Sequence, residues 1–274
     1  MKKIIGCLLN IFSKFNKRKS VFIAFDLFCK PRAGKLHGDL PQILKESDIN
    51  RFDYKDSFIQ YYLWNKDLEN KPLILLIHGW ESNAARWEPL IRYLGKNYRI
   101  IGFDARGLGA SPGRRFNVPE FSELIGTVIS KFQPTIIVSH SLGSFALLAQ
   151  LAKEQYKFIS KVVLTGCLDK FGDVLLNYSK MMGYNKKLED GILRYAESLI
   201  NMPIDSYASH LFIKSAKAEF LLIHDKRDEI VLLEECEIFH KVFKESNHTI
   251  VYTDLYGHSL QGVEVYQTIG NFIS

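Results

Sequence analysis

The sequence is poor in cysteine, the residue that builds disulfide frameworks and many structural metal sites. Only four of its 274 residues are cysteine, and none shows a Cys-x-x-Cys or Cys/His metal spacing. We therefore expect reduced thiols, a cytoplasmic location, and neither a metal ion nor a cofactor. The four cysteines are Cys7, Cys29, Cys167 and Cys236.

Long apolar runs, internal repeats and low-complexity tracts are also missing. No run of apolar residues reaches the roughly 20 residues that a transmembrane helix needs. Hydrophobic residues nevertheless make up 47% of the chain, enough to bury one large core. The length lies within the range of a single α/β domain.

Outside the N-terminal segment, basic residues are not in excess. Residues 1–35 contain nine Lys and Arg against Asp26 alone, a charge of +8, while the whole chain carries +6, so residues 36–274 carry −2 (6 − 8). This remainder has no basic patch with interleaved aromatic residues. Nucleic acid is therefore not an expected partner.

The basic segment, residues 1–35, is called the arm below. Its apolar residues recur at helical spacing, which leaves three interpretations open. It is a helix packed on its own domain, an amphipathic helix peripheral to a membrane, or a cleaved signal. The apolar positions are Ile4, Ile5, Leu8, Leu9, Ile11, Phe12, Phe15, Val21, Phe22, Phe25 and Phe28.

Short apolar runs alternate with helical stretches over the rest of the chain, and each run ends in a polar or glycine-rich turn. That rhythm predicts an α/β fold with a mostly parallel central sheet and helices on both faces. Residues 58–64 alternate and predict an early antiparallel strand. In an open sheet, sites form at the carboxyl edge, where these turns meet. The runs are residues 72–77, 98–103, 135–138, 161–166, 220–223 and 249–252.

The alternation of apolar runs with helical stretches stops after Cys167 and resumes at Glu219. We interpret residues 168–213 as a helical cap over the site, between core segments 36–167 and 214–274; ordinary connecting helices are the alternative. The insertion is rich in Tyr, Met and Leu. Met181, Met182 and Tyr184 are expected to line an apolar pocket under this cap.

The most informative stretch runs from Val138 to Gly143. An apolar strand pattern leads into Ser139-His140-Ser141-Leu142-Gly143, and a small, apolar helix pattern follows. This is a strand, a sharp turn and a helix, with Ser141 at the apex. Ser139 stands where glycine is the usual choice.

With these motifs in place, the chain resembles the α/β-hydrolase family over roughly residues 55–274. The resemblance implies the α/β-hydrolase fold and a nucleophile, acid and histidine in that chain order. The residues that carry it are His78-Gly79, Asp104, Arg106-Gly107-Leu108-Gly109, Ser111, Ser139 to Gly143, Asp228 and Gly257-His258.

A serine hydroxyl needs a base within hydrogen-bond reach, and the base needs a group that fixes its tautomer. We expect Ser141 as nucleophile, His258 as base and Asp228 as acid. Asp225 and Asp169 stay open as alternative acids.

An acyl-transfer site also needs two donors for the oxyanion. These are expected from the backbone N–H groups of Trp80 and Leu142. His78 is expected to shape the oxyanion loop and His140 to point away from the serine. Asp104 and Arg106 are expected to brace the turn.

These residues predict a serine hydrolase that cleaves carboxylic esters of small molecules, with an apolar acyl chain, through an acyl-enzyme. A thioesterase, an acyltransferase or a carbon–carbon bond hydrolase would use the same triad. A non-catalytic relative that binds ligands or membranes is the alternative from another class.

Overall fold

One eight-stranded sheet runs through the molecule in a computed structural model, which describes residues 2–246 and 248–274. The strands are β1 (Asp48–Tyr54), β2 (Ser57–Trp64), β3 (Leu73–Ile77), β4 (Arg99–Phe103), β5 (Ile136–His140), β6 (Lys161–Thr165), β7 (Glu219–Asp225) and β8 (Thr249–Thr253). Their order across the sheet is β1-β2-β4-β3-β5-β6-β7-β8.

Eleven α-helices are found among the described residues. They are α1 (Lys2–Phe15), α2 (Lys17–Cys29), α3 (Gln42–Lys45), α4 (Glu88–Leu94), α5 (Val118–Phe132), α6 (Leu142–Lys153), α7 (Phe171–Met182), α8 (Lys186–Ile200), α9 (Ser209–Phe212), α10 (Glu237–Glu245) and α11 (Val263–Ile273). Among the same residues, no helix is long and apolar enough to span a bilayer.

The sheet confirms the predicted fold class. Strands β4, β3, β5, β6, β7 and β8 pair in parallel, whereas β2 is antiparallel to both β1 and β4. Strand β1 was not predicted. It is an edge strand in which half-buried residues alternate with exposed ones. Asp48 and Asn50 are half-buried and Arg51 is exposed, so the strand lacks an apolar run.

Alternate residues of the central strands enter two separate cores. In β3, Leu75 and Ile77 point into the core on one face, and Ile74 and Leu76 into the core on the other. Helices α5 and α6 cover the first face, and α4 and α11 cover the second. Burial on both faces explains why β3 is a continuous apolar run rather than an alternating one.

The arm forms two helices that are interrupted at Asn16. The side chain of Asn16 accepts a hydrogen bond from the backbone N–H of Lys19 at 3.0 Å and so caps the start of α2. Asn10 of α1 donates to the carbonyl of Gly183 at 2.8 Å and accepts from the N–H of Asn185 at 2.9 Å. The arm is thereby attached to the α7–α8 connection.

Close helix packing supports the same attachment. A Cβ at Gly191 of α8 would overlap Val21 of α2, and a Cβ at Gly6 of α1 would overlap the carbonyl of Met182. Glycine at these two positions allows α1 to touch the Met182 backbone and the Val21 side chain to pack directly on the α8 backbone. In this structure the arm is therefore packed on its own chain.

Candidate active site

Ser141 occupies the sharp turn between β5 and α6. Its φ of +54° lies in a region that L-residues rarely adopt, and its backbone N–H donates to the carbonyl of Thr165 at 2.8 Å. A Cβ at Gly143 would overlap the carbonyl of His78, so only glycine permits this approach of β3 to the start of α6. The strained turn projects the Ser141 hydroxyl from the carboxyl edge of the sheet.

Ser139 replaces the usual first glycine of this turn without strain. It is fully buried, its hydroxyl donates to the carbonyl of Val163 at 3.1 Å, and it lies 2.9 Å from the hydroxyl of Ser144. The hydrogen bonds satisfy a polar group that would otherwise be costly to bury.

The structure brings Ser141, His258 and Asp228 into one hydrogen-bonded chain. The Ser141 hydroxyl lies 2.8 Å from Nε2 of His258, and Nδ1 of His258 lies 2.8 Å from Oδ2 of Asp228. Asp228 is buried and follows β7, and His258 lies on the turn Gly257–Ser259 after β8. Residues far apart in sequence therefore meet at one edge of the sheet.

The acidic alternatives do not reach His258. One carboxylate oxygen of Asp225 accepts from the Thr253 hydroxyl at 2.6 Å and from the N–H groups of Leu255 and Tyr256 at 3.0 and 2.9 Å. Asp225 thus braces the loop that leads to His258. Asp169 instead contacts Nδ1 of His210, with oxygens at 2.8 and 2.9 Å.

The surroundings of Asp228 favour its ionised form. Burial alone raises the pKa of this carboxyl, but the hydrogen bond with His258 and the N–H groups of Val231 and Ile230 together outweigh it, so the pKa is lowered. Those two N–H groups donate to Oδ1 at 2.8 and 2.9 Å. Oδ2 remains free to accept from the imidazole.

The predicted oxyanion donors lie next to the serine. Trp80 and Leu142 line the same cavity as Ser141. Among the described residues, no acceptor is found for either backbone N–H. Leu142 is also the first residue of α6, where an N–H has no partner within the helix and the helix dipole favours negative charge.

Two further histidines near the serine are held neutral. Burial lowers the pKa of His78 to about 4 and that of His140 well below its usual value. His78 contacts the carbonyl of Gly79 at 2.7 Å through Nδ1 and accepts from the N–H of Ala105 at 3.0 Å. It therefore fixes the loop that carries Trp80.

His140 contacts the loop that carries His258, a role that the sequence did not indicate. Its Nε2 lies 2.8 Å from the backbone carbonyl of His258. The two rings are edge-to-face, 4.9 Å apart. No local pattern could have revealed this contact, since it joins positions 118 residues apart.

Asp104 and Arg106 have different surroundings. Asp104 is buried, and its carboxylate accepts from the N–H of Ala84 at 2.9 Å, the N–H of Ala110 at 2.8 Å and the Tyr62 hydroxyl at 2.8 Å. It fastens the turn after β4 to its neighbours. Arg106 pairs with the carboxylates of Asp56 and Glu120.

A cavity of about 530 Å³ adjoins Ser141 and His258, a size usual for small-molecule sites. Its apolar lining includes Leu168, Val174 and Met181 from the predicted cap segment. Met182 and Tyr184 are buried away from it: the Met182 backbone touches α1, and the Tyr184 ring packs near Tyr178.

The sequence also missed that the arm helps to form this cavity. Lys2 and Arg32 line it, together with the acidic Asp173 and Glu235. The cavity is therefore more charged than an apolar acyl pocket. Trp80 packs its indole on Phe28 of α2 at 4.8 Å between ring centroids. Its indole N–H is buried and has no hydrogen-bond partner in the part of the chain that the structure describes.

One group among the described residues has the composition of a metal site. His224, Cys236 and His240 are buried, and one ligand atom of each lies within 4.8 Å of the others. This group lies outside the hydrogen-bonded chain of Ser141, His258 and Asp228. The sequence did not predict it, because His224 comes from β7 and the other two residues from the α10 region.

Two curated proteins resemble about half of this chain. A Synechocystis sp. protein that is named as a non-heme chloroperoxidase is 29% identical over 137 residues. The match covers 48% of this chain and 49% of that protein. A monoacylglycerol lipase of Mycolicibacterium smegmatis is 28% identical over 148 residues, 49% of this chain and 51% of the lipase. The chain thus spans about half the length of these curated relatives.

Solved structures extend the likeness of the fold to most of the chain. The Pyrococcus furiosus esterase Pf2001 superposes with a TM-score of 0.64 at 20% identity, over 89% of this chain and 98% of the esterase. A family model, described as the alpha/beta hydrolase family, matches residues 74–225, more than half of the sequence. The chain belongs to the alpha/beta hydrolase family.

Proposed function

We propose that this protein is a serine hydrolase of carboxylic esters. The observation that carries the proposal is the hydrogen-bonded chain from the Ser141 hydroxyl through His258 to the buried carboxylate of Asp228, beside a cavity. In this arrangement His258 acts as general base and Asp228 holds its tautomer.

In the first half of the reaction, Nε2 of His258 takes the proton of Ser141 as Oγ attacks the ester carbonyl. The oxyanion is bound by the N–H groups of Leu142 and Trp80, and one such donor contributes on the order of 3 kcal/mol to lowering the barrier. His258 then gives its proton to the leaving alcohol, and an acyl-Ser141 ester remains.

In the second half, water enters beside His258, which takes one proton as the water oxygen attacks the acyl carbon. Ser141 leaves with the proton from His258, and the carboxylic acid is released. Asp228 stays ionised throughout, in keeping with its lowered pKa.

The cavity lining supports a substrate with an apolar acyl chain and a polar or charged remainder. Leu168, Val174 and Met181 offer an apolar wall, whereas Lys2 and Arg32 offer positive charge at the arm side. Thioester hydrolysis, acyl transfer and carbon–carbon bond cleavage use the same chemistry, and thioesters are compared with esters in the test. The test is a panel of p-nitrophenyl esters of increasing acyl length, with thioester analogues; absence of turnover on every member would contradict the proposal.

We also propose that the arm docks on an anionic lipid surface. When α1 is packed on α7, four large apolar side chains still face outwards: Ile4 (64% exposed), Leu8 (61%), Ile11 (50%) and Phe15 (83%). Their spacing of four, three and four residues places them on one stripe of the helix. A helix that is apolar on both faces needs a partner on each.

Charge identifies the kind of partner that suits this stripe. Before Asp26, the arm contains no acidic residue, and Lys3, Lys14 and residues 17–19 add exposed positive charge. Each lysine near an anionic membrane contributes about 1 kcal/mol to binding. Lys2 of α1 and the exposed Met181 also line the cavity, so docking would bring the cavity to the lipid surface.

A further inference from the structure

A second cluster of reactive side chains lies behind the proposed triad. His224 is carried by β7, Cys236 by the turn Glu234–Cys236, and His240 by α10. All three are buried, with exposures of 0%, 0% and 5%. None takes part in the proposed ester hydrolysis, so their polar atoms need a separate explanation.

The protonation of His224 is set by a backbone carbonyl. Its Nε2 lies 3.0 Å from the carbonyl oxygen of Val231, and a carbonyl can only accept a hydrogen bond. Nε2 therefore carries the hydrogen, and Nδ1 presents a lone pair. That Nδ1 is buried and has no hydrogen-bond partner among the described residues.

His240 repeats this pattern with the nitrogens exchanged. Its Nδ1 lies 3.2 Å from the hydroxyl of Tyr252, whereas Nε2 is buried without a partner among the described residues. Histidines that bind metals typically place one nitrogen on the ion and use the other in a hydrogen bond to the protein. Burial disfavours the charged form of both rings, so it lowers the pKa of His224 and lowers that of His240 to about 3.

Cys236 completes the group. Its thiol lies 3.6 Å from the carbonyl of Cys167. Cys236 directly precedes α10, and His240 lies in the first turn of that helix. One ligand atom of each of the three residues lies within 4.8 Å of the others, and an inward movement would bring such atoms to the roughly 2.0–2.3 Å from a central ion that zinc requires.

We propose that His224, Cys236 and His240 bind a transition-metal cation of borderline softness, represented by Zn²⁺. Two imidazoles and one thiolate suit such an ion and not Mg²⁺ or Ca²⁺, which prefer oxygen ligands. The thiol loses its proton to solvent as the metal–sulfur bond forms. Three protein ligands leave the fourth tetrahedral position for water.

The cluster adjoins the substrate cavity. Cys236 borders that cavity but is fully buried, so an ion that enters from the cavity must pass between the lining side chains to reach the sulfur. His224 also connects the cluster to the triad, since its Nε2 lies 3.9 Å from Oδ2 of Asp228. Because this nitrogen donates to the carbonyl of Val231 at 3.0 Å, the longer approach to Asp228 is a proximity and not a hydrogen bond.

The test is direct metal binding by the full chain after dialysis against a chelator, with Co²⁺ as the spectroscopic probe and Zn²⁺ as competitor. All proteins carry Cys7→Ser, which removes the exposed thiol. We expect one Co²⁺ per chain with a sulfur-to-cobalt charge-transfer band, displaced by Zn²⁺. Cys236→Ser should abolish the band, and His240→Gln should weaken Co²⁺ affinity by at least about tenfold.

Matched controls separate this site from surface binding. Cys167→Ser alters a neighbouring buried thiol outside the group, and His248→Gln alters a histidine beyond α10; both should bind Co²⁺ as the parent does. A parent protein that binds no Co²⁺, or a band that survives in Cys236→Ser, would overturn the proposal. Equal losses in the controls would indicate adventitious binding only and overturn it too. If Cys236→Ser does not fold by circular dichroism, His240→Gln decides.

Discussion

Oδ2 of Asp228 and Nδ1 of His258 lie 2.8 Å apart, although 30 residues of sequence separate them. The other oxygen of Asp228 is occupied by two backbone N–H groups. The carboxylate therefore cannot rotate without losing three hydrogen bonds, which fixes the imidazole tautomer that presents Nε2 to Ser141. The geometry distinguishes Asp228 from Asp225, which is only three residues away.

Replacing these two acids in turn tests that distinction. Asp228→Asn should lower kcat by about 10⁴, because the amide stabilises the wrong imidazole tautomer, as in comparable triads. Asp225→Asn should mainly lower the melting temperature, since it weakens the bracing of the loop before His258. Steady-state kinetics and thermal unfolding of both variants give the comparison. A larger loss of kcat in Asp225→Asn than in Asp228→Asn would show that Asp228 is not the acid of the triad.

Buried neutral histidines predict that the fold loses stability in mild acid. The folded-state pKa is about 4 for His78 and about 3 for His240, below the value of about 6.5 for an unfolded chain. Between these values the unfolded chain binds protons that the folded chain does not, so stability falls as pH falls. Between pH 6.5 and pH 5, each of these two histidines should lower the free energy of unfolding by about 2 kcal/mol.

Urea unfolding with chelator present, at pH 6.5 and 5, measures this effect. His240→Gln should reduce the pH dependence, whereas the exposed His37 offers a matched control, His37→Gln, that should not. If the free energy of unfolding changes equally with pH in His240→Gln and in the parent, His240 is not held neutral in the folded state.

Membrane docking through α1 can be tested by removing the exposed stripe without touching the packed face. Leu8→Gln with Ile11→Gln should weaken binding to phosphatidylglycerol-containing vesicles by at least about tenfold, since two apolar side chains lose their burial. High salt should weaken binding of the parent, because it screens the lysines. Vesicle co-sedimentation gives both results.

The control for that experiment is a second pair of exposed apolar residues far from the arm. Leu255 and Val263 are as exposed as the stripe, and Leu255→Gln with Val263→Gln should bind as the parent does. Equal losses in both pairs would argue against a specific docking face. A dimer in light scattering that dissociates in Leu8→Gln with Ile11→Gln would show that a second copy covers the stripe instead.

The cavity wall predicts how acyl length affects rate. Each methylene buried against Val174 and Met181 should raise kcat/KM up to about fourfold, from about 0.8 kcal/mol per methylene. Met181→Asp should flatten that rise and leave acetate esters mostly unaffected. Leu255→Asp is the control, and its dependence of kcat/KM on acyl length should match that of the parent. An unchanged chain-length profile in Met181→Asp would place the acyl chain elsewhere.

Much of this fold follows from local patterns that physical chemistry makes strong. Strands such as β3, buried on both faces, appear as continuous apolar runs, and the turn at Ser141 requires small neighbours that the sequence displays. The order of serine, acid and histidine then suggested which residues the sheet edge would bring together. Strand β1 was not predicted, because an edge strand that contains Asp48 and Arg51 has no apolar run.

The parts that could not be predicted depend on contacts between distant segments. Nothing near Lys2 or Arg32 in the sequence indicates that the arm lines the cavity, since this follows from its packing on α7 and α8. In the same way, the contact of His140 with the His258 carbonyl and the meeting of His224 with His240 arise only when the sheet assembles. Met181 and Met182 are adjacent, yet only the first faces the cavity.

The central claim is that Ser141 is the acylated nucleophile, and active-site labelling with a fluorophosphonate tests it most directly. Intact-mass spectrometry and peptide mapping should find one phosphonyl group per chain, on Ser141. The label should be absent from Ser141→Ala and retained in Ser82→Ala, a serine that does not line the cavity among the described residues. Equal labelling of Ser141→Ala and the parent, or a label mapped to another residue, would contradict the account.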